Sequence, residues 1–107
     1  MGNVGVFIKG SSMAEIEGLV RALREGDDAA KTAAARRLGN LAAANAAKRV
    51  LIAEAGGIPL LVELLRDGRA NAKRWAAQVL EMLAWANRAN RVQIVQAGAI
   101  PPLVELL

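Results

Sequence analysis

IAEAGGIPLLVELL occupies residues 52–65, and IVQAGAIPPLVELL occupies residues 94–107; ten of the fourteen aligned positions are identical at an offset of 42 residues. The offset extends backwards. Ile58, Leu61, Val62 and Leu65 recur as Ile100, Leu103, Val104 and Leu107, and are preceded by Ile16, Leu19, Val20 and Leu23. Each set follows i, i+3, i+4, i+7, the apolar stripe of an amphipathic helix. Gly26 and Gly68 each follow an acidic residue by one position and stop that helix.

A second stripe follows each first one: Ala34, Leu38 and Leu41, then Ala76, Leu80 and Leu83. Asp27 and Asp28 suit the N-cap of the first long helix. Asn45 and Asn87 are expected to close the long helices, because Asn tolerates the left-handed C′ conformation. Short apolar helices come next, 50–55 and 92–97, each stopped by Gly56 or Gly98. Pro59 and Pro101 sit in the first turn of the following helix, where a missing N–H is tolerated. The unit is therefore a short, a middle and a long helix, a pattern whose period marks a helical solenoid.

Three helices per unit, the Gly-x-Ile-Pro junction and the phrase LVELL make residues 14–107 resemble the armadillo-repeat family. The phrase NLAAANAAKRVLIAEAGGIPLLVELLRDG (40–68) is most similar to plant-type armadillo arrays, including those attached to U-box ubiquitin ligases. The resemblance implies an all-α, right-handed α-solenoid of about two and a third repeats and about seven helices. The repeat units are placed at about 14–49, 50–91 and 92–107, the last one truncated. Residues 1–13 are expected to form a mobile arm, since Gly10, Ser11 and Ser12 do not favour a helix. MGNVGV resembles a myristoylation start, but Val6 stands where Ser or Thr is required.

The resemblance also implies a binding mode. Armadillo arrays hold extended partner segments along a concave surface of long third helices, where an Asn bonds the partner's backbone and a Trp four residues earlier packs on its side chains. RRLGNLA matches with Asn40 at the Asn position and Arg36 at the Trp position. In the second unit, Met82 and Gln78 occupy those places. That departure counts against a reader of basic import signals, and Arg36 and Lys31 would repel a Lys-rich segment. Trp75, Gln78, Met82 and Trp85 follow i, i+3, i+7, i+10 and would share one helical face distinct from the core stripe. Their apolar patch fits either a ligand groove or packing within or between copies of the chain.

The candidate groove residues are thus Arg36, Asn40, Trp75, Gln78, Met82 and Trp85. The partner that the resemblance implies is an extended segment of another protein. The other reading is a self-assembling repeat module, an isolated or engineered fragment, that forms homo-oligomers through an uncapped end of Ile100, Leu103, Val104 and Leu107. Leaving such side chains in water forgoes about 1.5–3 kcal/mol each.

Composition excludes several other classes. The chain of 107 residues has no Cys and no His, which removes disulfides, Cys/His metal sites and thiol or His-based catalytic mechanisms. The acidic residues read as helix-surface or cap positions, and Ala55-Gly56-Gly57 reads as a helix junction, not a phosphate loop. No catalytic residue, metal or cofactor is expected. The net charge of +4 is spread over pairs such as Arg36-Arg37, Lys48-Arg49 and Lys73-Arg74, without interleaved aromatics. Nucleic acid therefore ranks below a protein partner. No apolar run approaches the roughly 20 residues a membrane span needs. The absence of Cys fits a reducing, cytoplasmic or nuclear setting.

Overall fold

A computed structural model describes residues 4–107, with side chains from Met13 onward. The described residues form seven helices and no strand: α1 (Val4–Glu25), α2 (Asp28–Ala44), α3 (Ala46–Glu54), α4 (Gly57–Asp67), α5 (Ala70–Ala84), α6 (Arg88–Gln96) and α7 (Ile100–Glu105). The repeat in the sequence is a repeat in the backbone. Starts of α2 and α5, starts of α3 and α6, and ends of α1 and α4 are each separated by the same 42 residues.

The first two copies of the stripe bury, with Leu19 only partly covered. Ile16, Val20 and Leu23 of α1 are buried, as are Ile58, Leu61, Val62 and Leu65 of α4. With each such side chain worth about 1.5–3 kcal/mol, α4 tolerates glycine at its first position because its apolar face decides the outcome. Helix α4 packs on both α1 and α5, and α2 packs along α5. Small residues allow that last approach. A Cβ built on Gly39 of α2 would stand 3.3 Å from Val79 Cγ2 of α5, tighter than ordinary contact.

The junctions also repeat. Asp27 caps α2, its Oδ1 accepting from the Ala30 N–H at 2.8 Å. Gly56 and Gly98 both adopt φ +87°, the left-handed turn that separates the short helix from the next middle one. Asn45 and Asn87 work differently from expectation. Both are extended rather than left-handed, and both are N-caps of the following short helix. Asn45 Oδ1 accepts from the N–H groups of Ala47 and Lys48, and Asn87 Oδ1 from that of Asn90. An Asn between two helices can serve either end, and the capping bond to the next helix satisfies otherwise orphaned donors.

Two other expectations shift. Helix α1 begins at Val4, so the segment through residue 13 assigned to an arm is helical from that point. Extending an established helix through Gly and Ser costs only about 1 kcal/mol or less per residue, and nucleation is supplied by the stripe at 16–23. At the other end, α7 stops at Glu105, which leaves Leu107 beyond the helix whose stripe it was expected to complete. No described helix is long and apolar enough to cross a membrane.

Candidate functional site

Helices α2 and α5, the long helices of the two units, form the walls of an open groove of about 1010 Å³. Its lining includes Thr32, Ala33, Arg36 and Asn40 from α2 and Ala70, Asn71 and Trp75 from α5, with Leu64 of α4 also contributing. Positions 32, 33, 36 and 40 fall on one face because helical neighbours recur every three or four residues. Asn71 and Trp75 share a face of α5 for the same reason. The alanines keep the walls low, so the larger side chains stand out from them.

Arg36 and Trp75 meet across the groove. The Arg36 guanidinium carbon lies 5.6 Å from the centre of the Trp75 ring, a cation–π arrangement. Trp75 is half-buried and packed against the core. The remaining charges are paired. Arg37 Nε donates to Glu15 Oε2 of α1 at 2.8 Å, and Arg69 Nε stands 3.2 Å from Asp28 Oδ2. The hydrogen bond from Arg37 holds the Glu15 carboxyl below its ordinary range, and the same bond raises the Arg37 guanidinium. Both pairs are well exposed and add little stability. Their effect on the groove is to neutralise its margins.

Of the six residues assigned to the groove from sequence, Arg36, Asn40 and Trp75 lie in its lining and the other three do not. Gln78 is exposed further along α5, and Met82 is half-buried against the core. Trp85 is 71% exposed and stands past the last residue of α5 with an extended backbone, so it does not continue the helical face. The physical reason lies next to it. Ala86 takes φ 51°, and the carbonyl of Leu83 accepts from the buried Asn90 side chain at 2.9 Å, ending α5 before Trp85. Lys31 also falls elsewhere, in a smaller depression with Glu63 and Asp67.

Asn71 was not identified from sequence as a groove residue. Its signal was available: it precedes Trp75 by four positions, one turn back on the same face. Thr32 was also missed, although its hydroxyl is engaged, donating to the Asp28 carbonyl at 2.8 Å.

The end assigned to self-association is divided. Ile100 and Val104 are 51% and 59% exposed, and Leu107 is fully exposed, whereas Leu103 is half-buried against the core. Helix α7 has only six residues, far below the roughly 12–15 at which isolated helices become marginal. Its order depends on the contact through Leu103 and the buried Pro102.

Neither protein-family models nor curated proteins provide a match to this sequence.

Proposed function

We propose that this chain is a protein-interaction module, an armadillo-type α-solenoid segment that binds an extended stretch of another protein between α2 and α5. The observation that carries this reading is the convergence of Arg36, Asn40 and Trp75, from equivalent helices of successive units, on one open groove. Asn40 is exposed and supplies an amide for a partner's backbone. Asn71 supplies a second amide from the other wall. Trp75 offers a broad apolar surface of the kind that dominates interface energetics. These groups suit recognition of an unfolded segment, where backbone bonds give register and a few pockets give selectivity. The role is binding and not catalysis.

The test is selection from a displayed library of random ten-residue peptides, followed by affinity measurement on the wild type, Trp75→Ala and Asn40→Ala. Selected peptides should lose about tenfold or more in affinity with Trp75→Ala, and less with Asn40→Ala. Helix content by circular dichroism should be retained. A library that yields no binder, or binders indifferent to both substitutions, rules the groove reading out.

A second reading is favoured by the exposure of Ile100 and Val104. In it the chain assembles with copies of itself through the α7 end. Sedimentation across a wide concentration range separates the two, since a chain that stays monomeric at the highest concentration excludes self-assembly.

A further inference from the structure

We infer that the segment taken up by the groove carries an acidic side chain, whose carboxylate pairs with Arg36 while Arg36 rests on Trp75. This rests on the groove reading above and adds the chemistry of its occupant.

The charged residues of the lining are Asp28, Arg36, Arg37 and Arg69. Asp28 and Arg69 are paired with each other, and Arg37 is paired with Glu15. Those are the ion pairs among the described residues, and residues 1–12 contain no Asp or Glu. Arg36 is left as a groove cation without a carboxylate.

Its setting favours a bidentate acceptor. A guanidinium over an aromatic ring is held through its planar face, while its N–H donors point outward from its edge. The cation–π contact with the half-buried Trp75 restrains the Arg36 side chain, and none of the side-chain hydrogen bonds among the described residues takes up its donors. Holding the side chain in place beforehand lowers the entropy lost when a carboxylate binds. Two parallel N–H···O bonds then form, the strong class of charge-assisted hydrogen bond. A Lys or Arg of the partner would meet Arg36 at the same place, and the acid of this lining, Asp28, is already engaged by Arg69. Ala33 and the Trp75 ring beside the fork favour a small or apolar residue next to the acidic one.

The probes are ten-residue peptides in one Ser/Ala/Leu frame, with Glu, Gln or Lys at a single position moved through the frame. Affinity is read by fluorescence anisotropy at low and high salt. The wild type should bind the best Glu peptide about tenfold tighter than its Gln counterpart, a difference of about 1.4 kcal/mol, and bind the Lys peptide most weakly. Salt should narrow the gap. Arg36→Gln should erase the preference and Arg36→Glu should invert it toward Lys, both with helix content unchanged because Arg36 is exposed.

Peptides that bind the wild type equally well with Glu, Gln and Lys overturn the inference and leave the groove reading in place. So does a Glu preference that survives Arg36→Gln. Failure of the wild type to bind any peptide of the set, when the displayed library also yields none, overturns both.

Discussion

Arg49 donates from Nε to the carbonyl oxygen of Ala42 at 2.7 Å, reaching back from α3 to the last turn of α2. One unit later Arg91 donates to Ala84 at 2.9 Å, with the same seven-residue separation. A helix end leaves carbonyls without intrahelical partners, and a cation there also opposes the negative end of the helix dipole. The repeated arginine therefore ties the end of each long helix to the short helix that follows.

The first bond is partly buried and the second exposed, so the two arginines should not be equivalent. Arg49→Ala should lower the unfolding free energy by about 1–2 kcal/mol, toward the low end of the roughly 1.5–3 kcal/mol of a hydrogen bond to a charged group because the bond is only partly buried. Arg91→Ala should cost less. Urea melts on both variants check this, and an Arg91 variant that loses more than the Arg49 variant contradicts the assignment.

Helices α2 and α5 approach each other closely at the buried Gly39. A Cβ there meets Val79 Cγ2 at 3.3 Å, while the corresponding residue of the second unit is Glu81, which is exposed. Gly39→Leu should therefore overpack the α2–α5 contact and destabilise the fold by about 1–3 kcal/mol. Glu81→Leu should change stability by no more than about 0.5 kcal/mol. Equal effects at the two positions would show that α2 and α5 do not pack closely at Gly39.

The helices and their buried faces were legible because the chain repeats itself. Ile16, Ile58 and their partners at i+4 and i+7 are buried as their spacing requires. What spacing did not carry were the departures from regular helix. Trp85 leaves the face of Trp75 because Asn90 takes the Leu83 carbonyl and Ala86 turns left-handed, a tertiary bond acting on a local boundary. Asn45 could have closed one helix or opened the next, and periodicity does not distinguish those roles. Spacing placed Arg36, Asn40 and Trp75 on the helices that line the pocket, while the repeat gives no mark of Asn71, whose counterpart is Ala29, and only its four-residue spacing from Trp75 points to it.

The Glu15–Arg37 pair gives a pH dependence with a definite sign. Its hydrogen bond from Arg37 lowers the Glu15 pKa in the folded chain from the ordinary value of 4.5. The unfolded chain therefore takes up the proton first as pH falls. The contribution is present above the ordinary value and is lost as pH drops through the folded one. Thermal melts of the wild type and Glu15→Gln should differ slightly at pH 7 and converge in acid. High salt should also shrink the difference, since both groups are well exposed. A gap between the two proteins that widens toward low pH would contradict the pairing.

The two tryptophans should separate in the same experiments. Trp75 is half-buried against the core and stacked by Arg36, whereas Trp85 is 71% exposed beyond α5. Full burial would make Trp→Ala worth about 3–5 kcal/mol, so the half-buried Trp75 should lose roughly half of that. Trp85→Ala should fall within about 0.5 kcal/mol of the wild type. Single-tryptophan variants, Trp85→Phe and Trp75→Phe, then assign the fluorescence. With neutral acrylamide as quencher, emission from the half-buried Trp75 should be quenched less than that from Trp85 and should shift when a groove peptide binds, while Trp85 should ignore the peptide. If Trp85 responds to the peptide and Trp75 does not, the recognition surface lies at the α5–α6 turn. The groove between α2 and α5 would then lose its binding role.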